Sequence, residues 1–150
     1  MSLDKHLIGL TGEYFVAGVM SMKGWVASLT LKNYPSVDIF GLNPKTGITI
    51  NIQVKTTRNQ KSYNIGLAHN QRKIIKNKIK CPFVFVHIDK SDNLRYFVLT
   101  QMNLIELIEK TDDDYYNKPR NKPLKEDYPI GIELKHLIPY ENEWENLWEK

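Results

Sequence analysis

The chain is expected to fold as one mixed α/β domain over residues 1–150, a mixed sheet flanked by helices. Three observations predict this. Residues 4–23 carry apolar side chains at helical spacing. Residues 48–55 alternate strictly between apolar and polar. The remaining periodic segments follow in the order helix, three strands, helix, two strands, helix.

The first helix opens at Asp4, a good N-cap, and closes at Gly24. Leu10, Val16, Ala17 and Met20 fall on one face, and Glu13 falls on that same face. A carboxylate on a core-facing stripe needs a reason, because acids are rarely buried without a partner. Trp25–Leu31 reads as the first strand, Asn33-Tyr34-Pro35 as a turn, and Val37–Leu42 as the second strand. Asn43-Pro44-Lys45-Thr46-Gly47 has the chemistry of a hairpin turn. In the third strand Ile48, Ile50, Ile52 and Val54 point one way, and Thr49, Asn51, Gln53, Lys55 and Thr57 the other. A polar stretch leads to a basic helix near Gln71–Ile79. Pro82–Ile88 and Leu94–Leu99 are strands joined by the turn Asp89–Asn93, and Gln101–Lys110 is helical. Residues 112–129 read as a surface loop. From Tyr140 onward, Trp144, Leu147 and Trp148 form a helical stripe that seals the core.

Composition narrows the partners. The 41% hydrophobic content supports a core, and no apolar run approaches the roughly 20 residues of a membrane-spanning helix. The single cysteine, Cys81, can form no internal disulfide, which points to the cytoplasm and to a small core residue. Net charge is only +4, but residues 39–88 hold nine Lys and Arg and no Asp or Glu. A face of one sign suits a polyanion. His69 and His87 are isolated, so zinc is not expected. There is no Gly-rich phosphate loop and no Ser or Cys nucleophile motif.

The chemistry gathers on the second and third strands. Asp38 interrupts an apolar strand, and a hairpin brings it beside Gln53-Val54-Lys55. Magnesium takes oxygen ligands. Asp38 offers a carboxylate, Gln53 an amide oxygen and Val54 its backbone carbonyl. Lys55, on the face of Gln53, is placed to hold or deprotonate an attacking water and to neutralise charge growing on a phosphate.

Pro35-Ser36-Val37-Asp38 followed by Gln53-Val54-Lys55 resembles the PD-(D/E)XK nuclease superfamily of restriction endonucleases and junction resolvases. The Gln-x-Lys form is most similar to Mrr-type enzymes and small uncharacterised relatives. The resemblance implies a restriction-endonuclease-like α-β-β-β-α-β core. It also implies a first-helix glutamate at the metal site, a position that Gly12-Glu13 fits, and a further polar residue at the second helix, which Gln71 supplies. The chain departs from the pattern at Gln53, where the family usually has an acid.

The resulting expectation is a Mg²⁺- or Mn²⁺-dependent endonuclease acting on DNA, with RNA left open. Asp38, Gln53, Lys55 and Glu13 would be catalytic, and Asp38, Gln53, Val54 and Glu13 would hold the metal. Arg58, Lys61, Gln71, Arg72, Lys73 and Lys76 would contact nucleic acid. A homodimer would span both strands. Two other readings use the same residues: an inactive nucleic-acid-binding module on this fold, and a protein-interaction accessory factor.

Overall fold

The computed structural model describes residues 3–31 and 36–148. The turn expected at 33–35, Pro35 included, lies outside the described residues, as do positions 149–150. Helix α1 spans Lys5–Met22. Asp4 caps it by accepting from the His6 amide at 2.7 Å, and Gly24 ends it at φ 91°, a conformation that favours glycine. No helix among the described residues is long and apolar enough to cross a membrane.

Strands β1 (Val26–Leu29), β2 (Ile39–Leu42) and β3 (Thr49–Arg58) form an antiparallel meander. After β4 (Ser62–Ala68) and the short α2 (Ile75–Lys78), β5 (Phe83–Ile88) joins β3 in parallel, and β6 (Leu94–Leu99) pairs antiparallel with β5. The five-stranded sheet thus runs β1-β2-β3-β5-β6 and is mixed, as the sequence predicts. The β2–β3 turn is built as its residues suggest: the Gly47 amide returns to the Asn43 carbonyl at 2.8 Å, and Gly47 has φ 74°.

Each face of the sheet has its own core. Val16, Met20 and Trp25 pack on Ile39, Ile52, Val54, Val84, Val86 and Val98. Across the sheet, Phe83, Phe85, Phe97 and Leu99 are covered by α3 (Gln101–Tyr116) and by a second, two-stranded sheet of β4 and β7 (Pro129–Glu133). Tyr63 on β4 ties the two sheets together. Its hydroxyl, pushed up to about 12 by burial, donates to the Val86 carbonyl at 2.8 Å.

Four expectations need correction. The polar stretch after β3 is strand β4, with Tyr63, Ile65 and Leu67 buried in alternation. Residues 112–129 are not all loop: α3 continues to Tyr116, and β7 begins at Pro129. The basic helix begins as a 3-10 segment, His69–Ile74, and is α-helical only over α2. The terminal stripe is a 3-10 turn, Trp144–Leu147; its Trp144 and Leu147 are buried, and the Trp148 ring stacks on Trp25 at 5.4 Å.

Candidate active site

Strand β2 is shorter at its start than its apolar residues suggest, and Asp38 is the reason. The Asp38 amide donates to the Ile52 carbonyl at 2.9 Å, while Ile39 is also the register partner of Ile52. Two consecutive residues therefore face one, the arrangement of a β-bulge, which re-aims side chains and ends pairing. Beyond this point β3 continues without β2 beside it. Gln53 turns its amide to the other neighbour, donating to the Pro82 carbonyl at 3.1 Å. The Val54 amide points to the vacated side, and Asp38 satisfies it, its Oδ2 accepting at 2.7 Å.

This bond fixes the carboxylate against the β3 edge. N–H and C=O of one strand residue point the same way, so the Val54 carbonyl lies on the edge that Asp38 occupies. Gln53 and Lys55 flank Val54 and project from the face opposite to it, alongside Phe83 and Phe85 in the parallel register. Both are half-buried.

Asp38 also shares a cleft of about 410 Å³ with α1. Glu13 lines it together with His6, Tyr14, Thr30 and Leu31. Glu13 thus faces the cleft that Asp38 lines, from the helix side, whereas Gln53 and Lys55 do not line it. The sequence reading missed His6, although its separation of seven from Glu13 places both on one helical face. Gly12 seats the helix here. A Cβ at that position would lie 2.9 Å from the Thr56 Cβ and in harder collision with Thr56 Oγ1. Cys81 is buried beside the same strand end, its Sγ 3.7 Å from the Ser36 carbonyl oxygen, and burial pushes its thiol up to about 11. That is the behaviour of a core residue rather than a nucleophile.

The candidate nucleic-acid contacts divide. Lys61, Lys73 and Lys76 are exposed. Arg58 pairs with Asp92 at 2.8 Å. Gln71 accepts from the Ala68 amide at 2.9 Å and so serves the start of its own helical turn. Arg72 bonds Asp113 at 2.5 Å and Asp112 at 3.3 Å, holding the basic segment to α3; the Asp113 hydrogen bond raises its already high pKa. Asp112, only 2% exposed, also accepts from the Tyr128 hydroxyl and meets His69 Nδ1. The His69 ring lies between those of Tyr116 and Tyr128. Gln71 therefore serves a helix start, the structural role its position in the sequence allows, and Arg72 has structural employment that the sequence did not reveal.

No protein-family model matches the chain, and no curated protein matches it. Among solved structures, Hjc of Archaeoglobus fulgidus, a Holliday junction resolvase from an archaeal hyperthermophile, aligns over 87% of this chain and 88% of its own, with 13% identity and a TM-score of 0.45. The functional reading that follows rests on the side chains of this chain alone.

Proposed function

We propose that this chain is a metal-dependent endonuclease that hydrolyses phosphodiester bonds in DNA. The observation that carries the reading is the Asp38 Oδ2 bond to the Val54 amide at the point where β2 leaves β3. It sets a carboxylate beside a backbone carbonyl, with an amide oxygen and an ammonium group on the neighbouring residues.

By donor type the residues on either side of the Asp38 strand edge suit a hard cation. Asp38, Glu13, the Gln53 amide oxygen and the Val54 carbonyl are all oxygen donors, which suit Mg²⁺ or Mn²⁺ and not zinc. Among the described residues no three His, Cys, Asp or Glu side chains converge on one point. A set with Gln53 and a backbone carbonyl in place of one acid carries less negative charge, and weak cation affinity is the expected consequence. A divalent cation bound here would acidify water and stabilise the charge that builds on the phosphoryl oxygens.

The chain's own residues do the rest. Lys55 orients the attacking water and neutralises the phosphate. Asp38 keeps one carboxylate oxygen on the Val54 amide, and its other oxygen would be the one to hold a cation. The exposed Lys61, Lys73 and Lys76 hold phosphates flanking the scissile bond. A homodimer would present two such sites to a duplex, in the cytoplasm. The two-acid site also favours a second reading, a DNA-binding module that has lost catalysis.

Plasmid nicking separates the two. Wild type should nick with Mg²⁺ or Mn²⁺ and stop with chelator, and Lys55→Ala should lose at least about a hundredfold in rate while unfolding at the same urea midpoint. A purified Lys55→Ala protein that nicks like wild type removes Lys55 from the mechanism. Salt-sensitive DNA binding without any nicking favours the inactive module.

A further inference from the structure

We propose that an apolar recess beside Asp38 receives an unstacked nucleobase, so that the substrate is DNA with unpaired bases rather than an uninterrupted duplex. This rests on the nuclease reading above. The recess measures about 320 Å³, and its described lining is Thr30, Leu31, Val37, Phe40 and Asn51. Phe40 is 43% exposed and Leu31 86% exposed, so both present apolar surface to the recess.

Three features identify the occupant. First, Thr30 and Leu31 line both this recess and the cleft that holds Asp38 and Glu13, so the two spaces adjoin. Whatever fills the recess sits next to the reacting phosphate. Second, Phe40 and Asn51 are register partners across β2 and β3. An aromatic face for stacking thus stands directly opposite an amide that can donate to and accept from a base edge. Asn51 alternates with Gln53 and Lys55 on one face of β3, about 7 and 13 Å along the strand. A strand laid along that face would meet a base platform at one end and an ammonium at the other. Third, Phe40 and Asn51 belong to the segment 39–88 that contains no acid. None of the described lining residues is charged, so the recess offers a base apolar and amide contacts with no acid among them to repel the backbone. A base inside a duplex is unreachable from such a recess unless unstacked, which costs a few kcal/mol and favours DNA that is already unpaired.

The test uses the full chain in chelator, so that nothing is cut. A single-stranded oligonucleotide carrying 2-aminopurine, and the same strand in a duplex, are titrated with protein while fluorescence is read. Wild type should quench the single strand and bind it more tightly than the duplex. Phe40→Ala should lose most of the quenching and about tenfold in single-strand affinity, with duplex affinity unchanged. Phe40→Leu, which keeps apolar bulk for folding, should behave like Phe40→Ala. Equal quenching and affinity in wild type and both variants overturns the proposal, as does tighter binding to the duplex. A Phe40→Ala effect on sedimentation mass with none on DNA would assign the recess to a second copy and also overturn it. Single-strand quenching without any metal-dependent cleavage would sink the nuclease reading while leaving the recess in place.

Discussion

Replacing Gly12 by alanine tests how α1 presents Glu13. An alanine in a helix interior is ordinarily favoured over glycine by about 1 kcal/mol. At Gly18, where nothing lies within 4 Å of the position a Cβ would take, that gain should appear nearly whole. At Gly12 the added carbon would sit 2.9 Å from the Thr56 Cβ and 3.1 Å from its Cγ2, and closer still to Oγ1. The Thr56 Cβ is fixed by the strand, so rotating the side chain cannot relieve the clash and the helix must move. Overpacking of this kind costs about 1–3 kcal/mol. Gly12→Ala should therefore be neutral to destabilising by about 2 kcal/mol. Urea titrations of both variants, with unchanged slope, should show Gly18→Ala above wild type and Gly12→Ala at or below it. Glu13 should be carried away from Asp38, and nicking should fall further than stability alone explains. If Gly12→Ala is stabilised as much as Gly18→Ala, α1 is not seated on Thr56, and the placement of Glu13 beside Asp38 falls with it.

Three further outcomes follow from ion pairs and the hydrogen bonds around them. Asp112 is buried and answers Tyr128, His69 and Arg72, so Asp112→Ala should cost about 3 kcal/mol in urea unfolding, because it strands those groups. Tyr128→Phe should cost only about 1 kcal/mol. Arg95 donates to both carboxylate oxygens of Glu141, at 2.7 and 2.8 Å, and holds its carboxyl below the ordinary carboxylate range. A carboxylate lowered in the fold contributes stability above its unfolded pKa and loses it as pH falls through the folded one. Glu141→Gln should thus cost up to about 1 kcal/mol at neutral pH for this partly exposed pair, and nothing once the Glu141 carboxyl is protonated in folded and unfolded chains alike. A difference that grows toward acid pH would contradict the pairing.

The sheet was legible because its strands carry their own signal. The alternation of Ile48 to Lys55 and the turn at Asn43–Gly47 fix β3 and its hairpin without outside help. The pairing of Asp38 with the Gln53–Lys55 strand was legible for the same reason. What escaped depends on tertiary partners. In α3, Asp112, Asp113 and Asp114 place like charges at the helix C-terminus, where the dipole opposes them. Only Arg72, Tyr128 and His69, distant in sequence, let the helix run on. Strand β4 alternates Tyr63, Ile65 and Leu67, but Asn64 and Gly66 are poor strand formers, and the ladder is interrupted between Asn64 and Ala68. The bulge at Asp38 leaves no mark in composition. Neither does the bond that gives Arg72 to α3 instead of to a phosphate.

Calorimetric titration of Mn²⁺ into wild type, Asp38→Asn and Gln53→Glu tests the central claim most directly. Wild type should bind weakly. Asp38→Asn should lose at least about tenfold in affinity, or 1.4 kcal/mol, because it removes the charge held at Val54. Gln53→Glu should gain affinity, because it adds a carboxylate of the same length and shape. Equal Mn²⁺ affinity in all three proteins would place both side chains outside any metal site and contradict the account.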